Sequence, residues 1–242
     1  MYATLIAVAA LWGAAAGLLV PRAAYRLSVE PEEAWRDTCP AGHPFAGPAG
    51  GWLGGGQCAP THLPGHLLVP ALTALSCVAL AAATGPRPEL AVWLLLAPFA
   101  VLLALVDRNV HRLPDRLTLP LAAAAAVLLG LAALAPGDAG SWPTALLGGM
   151  ILGAFYFLLF LIHPNGMGFG DVKLALSLGV ALGWYGWTVL FTGAFAGLLL
   201  GSLYGLGLMI LRRAGRKTAI PFGPFMILGA LAGLLLGGLA AA

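Results

Sequence analysis

Two aspartates stand where acids are expensive. Asp107 directly follows the apolar run Ala91–Val106, and Asp171 directly precedes another, inside Gly166-Met167-Gly168-Phe169-Gly170-Asp171-Val172-Lys173. An ionised Asp at the centre of a membrane helix costs about 2.5–3.5 kcal/mol on insertion scales, so an acid at the border of such a helix is informative. If the two carboxyl groups lie close together, both cannot ionise: one keeps its proton and the other carries the charge. The protonated member can then polarise a peptide carbonyl. The charged member can take a proton from a water held between them. That is aspartic-peptidase chemistry, and it needs neither metal nor covalent intermediate.

The neighbours of the two acids are candidates for shaping the site or binding substrate. Gly168 and Gly170 are expected to permit positive φ and to let a substrate backbone approach Asp171. The pattern G-x-G-D arises by chance in roughly one chain in ten of this composition, so its weight comes from its place at a span border. Lys173 either tunes Asp171 or meets lipid phosphate, and lipid is the simpler reading. Asp115, in the same loop as Asp107, caps the following helix or pairs with Arg112. A structural alternative accounts for the dyad too: Asp171 caps the helix that starts at Val172, and Asp107 pairs with Arg108 or Arg112. The residue types alone leave both readings open.

These acids need a frame. Of the 242 residues, 60% are hydrophobic and 9% charged, against roughly 25% charged in soluble domains. That excludes a soluble globular enzyme, a disordered tail and a nucleic-acid binder. Eight apolar runs are legible: Tyr2–Val20, Leu67–Thr84, Leu90–Val106, Leu117–Ala135, Trp142–His163, Val172–Trp184, Thr188–Leu211 and Ile220–Leu239. The expected fold is an all-α polytopic membrane protein, a bundle of about eight transmembrane helices with one cytoplasmic loop domain. The sixth run is short, ending at the aromatic cluster Trp184-Tyr185-Gly186-Trp187, which reads as an interfacial belt. The many glycines suit close helix approach.

Eight spans put eleven of the twelve Lys and Arg residues on one side, Arg87 alone lying opposite beside Glu89. By the positive-inside rule that side is cytoplasmic, both termini are outside, and Asp107 and Asp171 share the cytoplasmic border. Basic residues follow the first run rather than precede it, so it reads as an anchor and not as a cleaved signal. The expected organisation is a first transmembrane helix over 1–21, a cytoplasmic Gly/Pro-rich loop over 22–66 and a seven-helix membrane core over 67–242.

The loop holds Cys39 and Cys58, in Cys39-Pro40-Ala41-Gly42-His43 and Cys58-Ala59-Pro60-Thr61-His62. Cys39, His43, Cys58 and His62 could together make a tetrahedral zinc site. The plainer reading is two unrelated Cys-His pairs. Cys77, inside the second run, reads as a small apolar packer.

The chain resembles the bacterial prepilin leader peptidases, polytopic GxGD aspartic peptidases of the cytoplasmic membrane. The resemblance rests on Ala104-Leu105-Val106-Asp107 leading into Leu113-Pro114-Asp115-Arg116-Leu117-Thr118-Leu119-Pro120, then Gly166–Leu176, then Ile220-Pro221-Phe222-Gly223-Pro224-Phe225. It implies removal of the short basic leader of type IV pilin-like or pseudopilin precursors, on the cytoplasmic side and after a glycine. It implies Asp107 and Asp171 as the catalytic pair, with Asp115 outside it, and no cofactor for peptide cleavage. Many members also bind metal through two C-x2-C pairs and methylate the new N-terminus with S-adenosylmethionine. Here Gly42 and Thr61 stand where the second cysteines would be, so the resemblance favours a peptidase with lost or weakened methyl transfer. Competing readings are an inactive scaffold relative and an ion-coupled transporter using the border acids. Transporters tend to carry such acids near the midplane of repeated halves, and no repeat is apparent.

Overall fold

The computed structural model describes residues 2–30, 33–52, 63, 65–164, 166–211 and 220–241. Among them are eight long helices: α1 (Tyr2–Leu27), α2 (Leu68–Thr84), α3 (Glu89–Val110), α4 (Asp115–Ala132), α5 (Trp142–Ile162), α6 (Phe169–Gly183), α7 (Trp187–Ile210) and α8 (Gly223–Ala240). Pro48–Gly51 forms a short turn in which Ala49 (φ 52) and Gly50 (φ 63) are left-handed. Each helix grows from one of the eight apolar runs. The chain is a multi-pass membrane protein, although its helices are unequal in length. Six of them, all but α2 and α6, are long and apolar enough to cross a membrane, and α2 is a shorter apolar helix of 17 residues. At 15 residues α6 is about 22 Å long, well short of the ~30 Å hydrocarbon core. The expected full set of eight spans is thus six long helices, one shorter and one truncated.

Proline and glycine punctuate the chain as their backbone limits require. Gly85 (φ 68) closes α2, and Gly186 (φ 95) stands between α6 and α7. Inside the bundle, glycine removes side chains where helices meet. A Cβ on Gly148 would come 2.6 Å from the Gly179 carbonyl, and one on Gly179 would come 2.5 Å from the Gly148 carbonyl. No side chain fits at that separation, so α5 and α6 lie against each other backbone to backbone. Among the described residues this is the most extensive helix–helix contact of the bundle.

The first helix does not stop at Val20. It continues through Pro21 to Leu27 and carries Arg22 and Arg26, both buried, out of the apolar run. The loop folds onto them. The Arg26 guanidinium lies 4.1 Å from the Trp52 ring centre, and that of Arg22 lies 4.6 Å from Phe45. Arg26 also donates to the Arg36 and Gly50 carbonyls, at 3.0 and 3.1 Å. Cation–π stacking and charge-assisted hydrogen bonds therefore anchor residues 33–52. The basic patch Arg212–Lys217, which supplies four of the eleven basic residues counted to one side, lies outside the described residues.

The helix ends sort into two groups. At one end lie the C-termini of α1 and α3 and the N-termini of α4, α6 and α8. At the other lie the start of α3, the end of α8 and the α6–α7 turn, where Arg87 donates to the Gly238 carbonyl at 3.2 Å. Both aspartates belong to the first end.

Candidate active site

Asp107 occupies the last turn of α3. That helix closes on His111 in the left-handed conformation (φ 51, ψ 40), whose N–H donates to the Asp107 carbonyl at 2.7 Å. The side chain turns inward and is 4% exposed. Its Oδ2 accepts the backbone N–H of Gly223 at 2.9 Å. Gly223 opens α8, so this N–H is one of the donors that a helix start leaves without an intrahelical partner.

Asp171 sits in the first turn of α6, ahead of the apolar stretch from Val172, and is 6% exposed. Its N–H donates to the Gly168 carbonyl at 3.0 Å, which places the Gly168 amide beside its carboxyl group. Gly168 is the N-cap, so the acid stands at the third helical position, the one a capping box uses for its acid. Asp171 thus lies inside the first turn of a helix that starts at Phe169, rather than ahead of one that starts at Val172. This position does not compete with a catalytic role, because one carboxyl oxygen can face the helix start while the other faces the site. Burial first, and the charge of Asp107 second, push the Asp171 carboxyl up to about 7; the Gly168 N–H acts in the opposite sense.

The two glycines of the motif work differently from the expectation. Gly168 has φ −74, and neither it nor Gly170 adopts positive φ. Gly170 is small because Leu113 requires it: a Cβ there would stand 2.9 Å from the Leu113 Cβ. Leu113 belongs to the turn after Asp107. The contact thus seats the α3–α4 turn on the first turn of α6 and brings the two acid-bearing segments together.

Lys173 neither points at lipid nor neutralises Asp171. Its Nζ lies 2.6 Å from the Asp115 carboxylate, and it sits 4.8 Å from the Phe169 ring centre. Asp115 in turn neither caps α4 nor pairs with Arg112. The expected partners are local in sequence, whereas the actual pair joins the first turns of α4 and α6. Its side chains are 16% and 64% exposed, so it contributes little to stability and serves mainly to align the two helices.

A group that sequence reasoning passes over is Tyr156 on α5. It is 1% exposed and lies within the electrostatic reach of Asp171. Its ring centre is 6.1 Å from that of Phe222, the residue before Gly223. At the same end of the bundle an open cleft of about 450 Å³, lined by neither aspartate, separates Glu33–Trp35 from the turn Arg112–Arg116. Beneath it a smaller cavity of about 90 Å³ reaches Val106 and Pro114.

Of the four residues read as a zinc set, Cys58 and His62 lie outside the described residues. Cys39 and His43 share one tight turn, with Sγ and Nδ1 3.8 Å apart. Donors on one tetrahedral zinc stand about 3.6 Å apart, so this pair fits one edge of such a site. Among the described residues no group of three or more metal-ligating side chains occurs.

The buried pair at the ends of α3 and α6 coincides with a recognisable sequence block. Residues 94–210 match the type IV leader peptidase family. The matched block contains Asp107, Asp115, Tyr156 and Asp171. The chain is 36% identical over 172 residues to a protein of Aeromonas salmonicida (strain A449) named "Prepilin leader peptidase/N-methyltransferase", covering 70% of this chain and 57% of that protein. Proteins of the same name from Pseudomonas aeruginosa (strain PAO1) and Escherichia coli (strain K12) are 34% and 31% identical over 140 and 144 residues. Those alignments cover 56% of this chain in each case, and 46% and 59% of the two proteins. The chain thus spans about half the length of the curated relatives it matches. No solved structure matches it.

Proposed function

We propose that this leader peptidase relative is a membrane aspartic endopeptidase that removes the short basic leader of type IV pilin-like or pseudopilin precursors, cutting after a glycine. The observation that carries the reading is the pairing of two nearly buried carboxyl groups at one end of the bundle, close enough for the charge of one to act on the other. A lone structural acid would have a cation or a cap and nothing more.

The chemistry follows from the two environments. Asp171 holds the proton and donates it to the scissile carbonyl oxygen. Asp107 is the base: it takes a proton from the attacking water as the new C–O bond forms. When the tetrahedral intermediate collapses, the C–N bond breaks and Asp107 returns its proton to the departing amine. Asp171 recovers its proton from the gem-diol oxygen as the carboxyl group forms. No metal or cofactor enters these steps. The cleft between Glu33–Trp35 and Arg112–Arg116 opens at the same end of the bundle as the dyad, where the leader must arrive.

The same reading gives the topology. The end that carries Asp107 and Asp171 also carries Arg22, Arg26, Arg108, Arg112, Arg116 and Lys173, which makes it the cytoplasmic face of the inner membrane with both termini outside. Methyl transfer is absent or weak, since the second cysteine of each family pair is missing. Acids at one end of the bundle, rather than at its midplane, weigh against a transporter.

The test is coexpression with a pilin-like precursor, following leader loss by gel shift. Asp107→Asn and Asp171→Asn should each abolish processing with the protein still in the membrane, and Asp115→Asn should cleave within a few-fold of wild type. Full cleavage by either dyad variant refutes the assignment. Mass spectrometry of the mature N-terminus should lack the ~14 Da increment of a methyl group.

A further inference from the structure

The tyrosine on α5 has no place in the two-carboxylate scheme, yet its surroundings are those of a working group. Tyr156 is buried among Leu152, Val172, Leu174 and Met226, which belong to α5, α6 and α8. Its ring leans on Phe222, the residue preceding the amide that holds Asp107, and its hydroxyl lies in the field of Asp171. It therefore sits between the segments that carry both acids. Among the described residues the hydroxyl makes no hydrogen bond. A phenol in an apolar niche normally finds a partner for its hydroxyl, and phenylalanine, which flanks it as Phe155 and Phe157, would fill the niche by ring alone.

We propose that Tyr156 is a positioning residue for Asp171: its O–H donates a hydrogen bond to the Asp171 carboxylate as that group passes its proton to the substrate carbonyl. Tyr156 keeps its own proton throughout, so the proton count of the peptidase scheme is unchanged. The gain lies in timing. A neutral Asp171 asks little of a donor, while the carboxylate left after transfer is a charged acceptor in a dry site, where such a bond is worth most. Phe222 holds the ring, and α5 is held in turn by its backbone contact with α6, so the hydroxyl is carried by the same rigid pair as Asp171. The other charged or titratable groups around Asp171 are Asp107, with His111 at the end of α3, and Lys173, which Asp115 occupies. From α8 the site receives the uncharged Gly223 amide.

The inference rests on the peptidase reading, and the two can fail separately. Tyr156→Phe removes the hydroxyl and keeps the ring. In detergent-purified enzyme with a pilin-like precursor, kcat should fall about tenfold or more with KM unchanged. The alkaline limb of the cleavage profile should move up by about one pH unit, because a donor that favours the carboxylate has gone. A purely packing role predicts the reverse: cleavage and pH profile as in wild type, with equal or higher thermal stability. That result overturns the inference while the peptidase reading stands. If wild-type enzyme itself leaves the precursor uncut, the peptidase reading falls and this inference with it. Should the Phe variant not accumulate, Tyr156→Met fills a similar volume without a hydroxyl, and wild-type cleavage by it is equally fatal.

Discussion

The N–H of Gly223 donates to Oδ2 of Asp107 at 2.9 Å, joining the first residue of α8 to the last turn of α3. The bond satisfies a backbone donor that the helix cannot satisfy itself. It also sets Asp107 at the partly positive end of α8, and so favours the charged form that a general base needs.

The approach works only for glycine. A Cβ at position 223 would stand 2.9 Å from Oδ2 and 3.2 Å from Cγ of Asp107. The group that must yield is the carboxylate, the movable end of a side chain, rather than a helix backbone. Gly223→Ala should therefore cost little stability and much activity. A displacement of about 1 Å at a reacting group is worth up to a hundredfold in rate. We expect leader cleavage by Gly223→Ala to drop at least about tenfold, with the thermal midpoint in detergent within a few degrees of wild type. Unchanged cleavage would show that Asp107 has room to spare.

Asp171 gives the pH dependence its sign. Its carboxyl is pushed up to about 7, mainly by burial, whereas in the unfolded chain it returns to about 3.9. Between these values the folded protein binds the proton and the unfolded chain does not, so stability falls as pH rises. The acid form is also the one that donates to the substrate, so cleavage should decline as pH rises through about 7. Asp171→Asn cannot ionise. It should abolish cleavage at every pH and yet raise the thermal midpoint above wild type at pH 8, with the gap closing near pH 4. A variant less stable than wild type at pH 8 would mean that the charged carboxylate is well accommodated in the fold.

What the sequence discloses is the part of this site that expense makes visible. Asp107 and Asp171 stand out because an acid at the edge of an apolar run needs a reason, and the runs themselves mark all eight helices. Close contact between distant segments leaves no such trace. A backbone N–H such as that of Gly223 has no letter of its own; the nearest signal is the pair Pro221 and Pro224, which marks a helix start and hence a free donor. Tyr156 lies in Phe155-Tyr156-Phe157, which reads as a lipid-facing aromatic stretch until the contact between α5 and α6 turns one face inward. The Lys173–Asp115 pair is hidden for the same reason, since each residue has a plausible partner nearer in sequence. The length of α1 is underestimated because the apolar run ends at Val20, while burial of Arg22 and Arg26 against aromatic rings carries the helix on to Leu27.

Glu89 is the acid whose surroundings the sequence conceals most fully. In sequence it stands only two residues from Arg87, yet it is fully buried at the end of the bundle away from the dyad. Tyr185 offers its hydroxyl to Oε1 at 3.4 Å and accepts the Trp93 indole N–H at 3.2 Å. Arg87 is turned to the Gly238 carbonyl instead. The cluster links the start of α3 to the α6–α7 turn, and these elements meet the dyad only through the length of the bundle. Removing Glu89 leaves the Tyr185 hydroxyl without its acceptor, a loss of about 1–3 kcal/mol for a buried polar group. Glu89→Ala should lower the thermal midpoint by several degrees, and Glu89→Gln, which keeps an oxygen in place, should lower it less. At a temperature where both remain folded, each should cleave the precursor at the wild-type rate, measured by the same gel shift. Loss of cleavage without loss of stability would mean that the two ends of the bundle are coupled, and that Glu89 acts on the dyad through α3.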